Sequence, residues 1–212
     1  MEEQTVLLAA LMAGIVATTV TVLIEKYGGV LGGILGTIPT TIIPASIGMA
    51  SEGGNDALIV SLAIVPAGML INAIFLSVWA LLPDKLPKTW NQNSSLIFTS
   101  IISLIIWAIV GLFTIDIIDR GIDKNYSPEE ISIVGLVLVA TLGIVMCWNL
   151  KPAPKGKNSV SKKILAARGI VAAMAIGIAV LISSLGMPLL AGLASVFPAI
   201  FLTSMIALWL AQ

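Results

Sequence analysis

The stretch Gly28-Gly29-Val30-Leu31-Gly32-Gly33-Ile34-Leu35-Gly36-Thr37-Ile38-Pro39-Thr40-Thr41-Ile42-Ile43-Pro44-Ala45-Ser46 carries no charge, yet holds five glycines and two prolines. Backbone in lipid must bond within its own segment, so an apolar run of this kind reads as a helix. Gly28, Gly32 and Gly36, and likewise Gly29 and Gly33, form overlapping GxxxG patterns that admit a close neighbour. Pro39 and Pro44 each remove a backbone donor and disturb the carbonyl about one turn earlier. At bilayer depth a freed carbonyl needs a protein partner or a water-lined cavity. Thr37, Thr40, Thr41 and Ser46 place hydroxyls beside the break. Free carbonyls with hydroxyls can coordinate a dehydrated cation or hydrogen-bond a small polar solute. The same residues also suit a packing kink, with the hydroxyls bonded back to their own helix.

Outward from this stretch the chain is 58% hydrophobic and only 10% charged, against about 25% charged for a soluble domain. Seven runs reach the roughly 20 apolar residues a spanning helix needs: 5–24, 28–50, 57–82, 94–115, 131–150, 163–184 and 188–211. The fold class read from them is all-α, a polytopic transmembrane helical bundle of about seven spans. Charge placement agrees. Lys26, Lys85, Lys88, Lys151, Lys155, Lys157, Lys162, Lys163 and Arg168 fall on one side, with Arg168 just inside span six. Only Arg120 and Lys124 fall on the other. The positive-inside rule then expects a multi-pass cell-membrane protein with its N-terminus outside and its C-terminus cytoplasmic. If 28–50 were instead a re-entrant hairpin, the N-terminus would flip. The acidic start Glu2-Glu3 lacks the positive n-region of a secretory signal, so the first run reads as a retained span.

An internal repeat organises the chain. Gly14-Ile15-Val16-Ala17 matches Gly169-Ile170-Val171-Ala172, and Leu31, Gly33, Pro39 and Ile47 then match Leu190, Gly192, Pro198 and Ile206. Each copy is a smooth helix, a tight turn and a helix with a central Pro. Spans one and two lie five crossings from spans six and seven, so the copies are read as an inverted repeat, an arrangement common in secondary transporters. The expected units are 1–115 (first repeat, spans one to four), 116–150 (outer loop and linking span five), 151–163 (basic cytoplasmic linker) and 164–212 (partial second repeat). The linker suits a topology anchor, or contact with anionic lipid head groups. The early stop at Gln212 points to a truncated second copy or a fragment.

Span seven echoes the break with Ser195, Pro198, Thr203 and Ser204, and span three adds Pro66 and Asn72. Asn72 is also explained by an interhelical hydrogen bond alone. Thr37, Pro39, Thr40, Thr41, Ser46, Asn72, Ser195 and Pro198 form the candidate substrate-binding set. Glu52, Asp56 and Asp116 are expected at the outer ends of their spans, either as an acidic vestibule that attracts cations or as solvated loop charge. No ionisable group stands near the centre of any span, which argues against a proton relay through a membrane carboxylate. There is no His and a single Cys, Cys147. No metal, cofactor or enzymatic chemistry is therefore expected, and zero formal net charge gives no signal for nucleic acid.

Gly33, Pro39-Thr40, Ala45, Ser51-Glu52, Gly54 and Ala57-Leu58 resemble the GlpM-like group of small bacterial inner-membrane proteins, in which an A-G-x-x-x-x-x-P-T stretch precedes an S-E-x-G loop. Gly32 departs from that pattern. In the second copy, Ala191-Gly192 and Phe197-Pro198 are similar, but Ala199 replaces the Thr. The resemblance implies about four spans per unit and assigns no activity. The functional expectation is a transporter or channel for a small polar solute or cation. The other reading is a non-enzymatic scaffold, assembly or lipid-interacting protein. The expected partners are membrane lipids and a second copy of the chain docked through the GxxxG faces.

Overall fold

The computed structural model describes residues 2–27, 38–148 and 161–210. The described residues form helices and no strands. Helix α1 is Glu2–Tyr27, α2 Ile42–Ala63, α3 Val65–Leu81, α4 Gln92–Asp123 and α5 Pro128–Cys147. Then come α6 Lys162–Ser184, α7 Pro188–Ser195 and α8 Ala199–Leu210. A short 3-10 turn, Pro83–Lys85, follows α3. The glycine pattern at 28–36, Thr37 and the linker residues 151–160 lie outside the described residues.

Six stretches are long and apolar enough to cross a membrane: Glu3–Ile24, Val65–Lys85, Gln92–Asp123, Pro128–Val145, Lys162–Ser184 and Pro188–Leu210. The expected span 28–50 is described only from residue 38 onward. Large apolar side chains face out along these helices; Ile15 and Val145, for example, are 65% and 66% exposed. Without water around them, such faces need no polar cover, and buried groups turn inward instead.

Local chemistry sets the helix starts. Asn91 caps α4, its side chain accepting from the Ser94 N–H at 2.7 Å. Ser127 and Glu130 form a reciprocal capping box at the start of α5. Ser161 caps α6.

Three boundaries differ from the sequence reading. The expected loop at 51–56 is helical except for Gly54, whose φ of 78° and ψ of 176° lie outside the helical region. The chain folds back there. Leu58 packs on the same cluster as Ala45 and Met49, whereas a straight helix would carry it about 13 Å beyond Met49. Glycine alone adopts this backbone without strain, so one residue makes the reversal. Second, the segment 116–123, read as loop, continues α4; Asp116 and Arg120 pair one turn apart on its surface. Third, span seven is two helices rather than one kinked helix, α7 and α8, separated at 196–198.

Helix α6 packs along α1, α2, α7 and α8, while α3 packs on α4 and α5. Small residues allow the closest approach. Gly14 of α1 faces Gly169 of α6, and a Cβ on Gly14 would lie 3.1 Å from the Gly169 carbonyl oxygen. Ala9, Ala13, Ala45, Met49, Ile176, Val180 and Ala191 fill the core beside this crossing. A second core joins α3, α4 and α7 through Ile71, Phe75, Trp107, Leu189 and Leu193.

Candidate functional site

Two chain breaks meet. One is Ile38-Pro39-Thr40-Thr41, which leads into α2; the other is Val196-Phe197-Pro198, between α7 and α8. Both are bent by the same local turn. The Thr40 N–H donates to the Ile38 carbonyl across Pro39 at 2.7 Å, and the Ala199 N–H donates to the Phe197 carbonyl across Pro198 at 2.7 Å. A bond from residue i+2 back to i is a γ-turn, here centred on proline in each case. Each break then starts a helix, through Ile42 N–H to Pro39 carbonyl at 2.9 Å and Leu202 N–H to Pro198 carbonyl at 2.8 Å.

A cavity of about 50 Å3 lies between the breaks, and Pro39, Thr40, Thr41, Asn72, Ser195 and Pro198 help to line it. A water molecule needs at least about 10–15 Å3 of such space, so there is room for a few waters or a small solute. Pro198 stands near the middle of the Pro188–Leu210 span, which sets the cavity at mid-depth along that element.

Asn72 ties the site to the second core. Its Nδ2 donates to the Val196 carbonyl at 3.0 Å, and its Oδ1 accepts from Trp107 Nε1 at 2.8 Å. Gly68, one turn earlier on α3, lets the two backbones close up; a Cβ there would collide with Val196 Cγ2. Trp107 also packs edge-on against Phe197, with ring centroids 5.5 Å apart. The Ser195 hydroxyl donates back to the Gly192 carbonyl at 2.7 Å. The Thr40 hydroxyl differs: its oxygen is sealed from solvent and has no hydrogen-bond partner among the described residues.

Not every sequence candidate joins the cavity. Thr37 lies outside the described residues. Ser46 is half-buried on α2 and is not part of the wall. Glu52 is half-buried and Asp56 exposed on α2, beside the Gly54 reversal. Asp116 on α4 pairs with Arg120 at 2.8 Å.

The sequence reading missed the most unusual polar group. It counted Arg168 as a flanking cation, but the side chain is only 2% exposed. Nε donates to Thr203 Oγ1, Nη1 to Thr21 Oγ1 and Nη2 to Ser204 Oγ, each at 2.8 Å. Thr21 and Thr203 spend their own protons on the carbonyls of Ala17 and Ala199. That leaves their lone pairs turned toward the guanidinium. Arg168 thus fastens α1, α6 and α8 one turn from the cavity wall, since Ala172 and Ala199, one helical turn from Arg168 and Thr203, both line it. The available signal was an arginine six residues into an apolar helix, with Thr203 and Ser204 already grouped with the span-seven break.

Apolar spans enclosing a polar seam of this kind make the protein a multi-pass α-helical membrane protein. The chain matches no family model, no curated protein and no solved structure.

Proposed function

We propose that the protein moves a small polar solute or ion across the cell membrane by rearrangement around its two proline breaks. The observation that carries this reading is the cavity itself. Residues from both breaks and Asn72 wall one small space at mid-span, and a buried hydroxyl in that wall has no partner among the described residues. An orphaned buried group costs about 1–3 kcal/mol; Trp79, Thr99 and Ser183 carry others elsewhere, so it is the placing of Thr40 in the cavity wall that supports the reading.

The inverted repeat belongs to the same proposal. It is supported by the residues that the repeat equates. Gly14 faces Gly169, Ala17 and Ala172 share one buried cluster, and Pro39 and Pro198 carry the same turn. Equivalent residues that touch each other are what an axis between α1 and α6 would produce. Two repeats rocking about that axis would open the cavity to alternate sides. Orientation with the N-terminus outside follows from the charge sorting, and kinship with the GlpM-like group from the residues quoted above.

Cysteine accessibility tests the transport reading. In a Cys147→Ser background, Thr41→Cys and Ser195→Cys should react with a small membrane-impermeant thiol reagent in intact membranes. Failure of both to label from either face would leave the scaffold reading in place.

A further inference from the structure

Helices α4 and α5 both pack on α3 but touch each other little. The turn that joins them is tight: Asn125 takes a φ of 66°, and Ser127 with Glu130 restarts the helix. Away from the turn the two helices part. A groove of about 540 Å3 lies between them, with α3 as its floor. Along α4 it runs from Gly121 to Val110, about 16 Å of helix. Val110 stands one turn from Trp107, which bonds Asn72 at mid-span. The groove therefore reaches from the helix ends to the middle of the bilayer, the depth of one leaflet at about 15 Å of hydrocarbon. Its inner end is aliphatic, with Ile71, Ile74 and Leu138; its other end carries Tyr126 and Glu130, both exposed. Glu130 accepts from the Ser127 N–H at 2.9 Å, and a carboxylate has about four acceptor sites, so most of its capacity is unspent there.

We infer that the groove holds a membrane phospholipid whose headgroup ends in a primary ammonium, as in phosphatidylethanolamine. One acyl chain lies along α3, and the ammonium sits at Tyr126 and Glu130. The site stands apart from the transport reading. Depth selects a lipid, since the groove spans one leaflet and ends where headgroups begin. The walls disfavour a helix of a second copy. They meet at the turn, where a Cβ on Gly121 would lie 3.6 Å from Ile131 Cδ1, and a helix about 10 Å across cannot continue between them. Charge selects the headgroup. Residues 116–130 hold five carboxylates and two cations, and Arg120 is paired with Asp116. An anionic headgroup is repelled there, whereas an ammonium gains a carboxylate and a phenol that accept its protons. Lys124, exposed in the same turn, supplies a cation for the lipid phosphate.

The test is native mass spectrometry of the full chain in detergent micelles, with dioleoyl phosphatidylethanolamine, phosphatidylcholine and phosphatidylglycerol added in equal amounts. One phosphatidylethanolamine adduct should be retained about threefold above either competitor, the worth of one exposed ion pair. Glu130→Gln keeps the capping box, which accepts Gln as well as Glu, and should erase that preference. Val134, a wall residue 60% exposed, admits an indole from the lipid side. Val134→Trp should cut retention about tenfold, as losing the burial of two methylene groups would. Ile144→Trp, on the same helix but off the groove, should change nothing. If Val134→Trp does not yield a monodisperse protein, Leu138→Trp takes its place. Equal retention of the three lipids, or preference for either competitor, overturns the proposal. So does an equal loss in Ile144→Trp, which would mean annular lipid, or a dimer that Val134→Trp dissolves, which would put a second copy in the groove. None of these outcomes touches the transport reading, which the Thr41→Cys labelling tests separately.

Discussion

Replacing Asn72 with Leu removes the clamp on the second break while nearly conserving volume. Asn72 is 4% exposed and bonds both the Val196 carbonyl and the Trp107 indole. Leu leaves that carbonyl and that N–H unpaired, at about 1–3 kcal/mol for each buried group. Cycles between membrane helices give smaller values, averaging about 0.6 and reaching about 1.7 kcal/mol. Two orphans in a nearly dry site therefore put Asn72→Leu at roughly 2–4 kcal/mol. Trp107→Phe orphans only the Asn72 oxygen and keeps most of the ring against Phe197, so it should cost about 1–2 kcal/mol. Once Asn72 is gone the indole N–H has nothing to lose, so the double variant should be less destabilised than the sum by about 1 kcal/mol. Reversible unfolding in mixed detergent and SDS micelles would measure all three. Additivity within about 0.3–0.5 kcal/mol would show that the Asn72–Trp107 bond contributes nothing to holding the break.

Gly169→Ala should destabilise by about 1–3 kcal/mol in the same unfolding assay, because its Cβ would lie 2.7 Å from Thr18 Cγ2 and 3.3 Å from the Gly14 carbonyl oxygen. Gly143→Ala, where a Cβ meets nothing within 4 Å, should be neutral or stabilising by up to about 1 kcal/mol. Ser127→Ala removes the capping box of α5 and should cost about 1 kcal/mol, seen as faster amide exchange confined to the first turn of that helix.

The breaks were legible because proline and small hydroxylic residues are local signals. Pro39 and Pro198 mark them without reference to any other part of the chain. What closes each break was not legible. Asn72 reaches Val196 across 124 residues, and periodicity carries no record of such a pairing. Arg168 was misread for a related reason. Charge sorting treats any cation near a helix end as flanking, yet six residues of helix carry it about 9 Å inward, where Thr21 and Thr203 wait on other helices. The Gly54 reversal shows the opposite error. The loop's place was right, but the sequence assigned several residues to a turn that one positive-φ glycine completes. The extension of α4 past Ile115 was hidden by its polarity. A helix leaving the bilayer needs no apolar residues, and Asp116 and Arg120 support it by pairing one turn apart.

A broken helix at bilayer depth exposes two sets of backbone groups, the last carbonyls of the half that ends and the first N–H groups of the half that begins. A break that served only to bend a helix would gain by closing both. Here the carbonyl side is closed only in part: Asn72 donates to Val196, the Ser195 hydroxyl to Gly192 and the Ala199 N–H to Phe197, while the Thr40 and Ser195 carbonyls have no donor among the described residues. The N–H groups of Ile200 and Phe201 and the Thr40 hydroxyl, all from residues of the cavity wall, likewise have no partner among the described residues. The chain had ready means to close the helix start, since the side chains of Asn91, Ser127 and Ser161 accept from the N–H groups of Ser94, Glu130 and Ile164 at other helix starts. The start of α8 carries Pro198 and Ala199 instead of such a cap. An uncapped start facing a polar cavity is unfavourable in a scaffold and useful in a protein whose ligand completes the bonding. The unfilled donors and acceptors gathered on one cavity wall, more than the presence of proline, support the proposed transport reading over a simple kink.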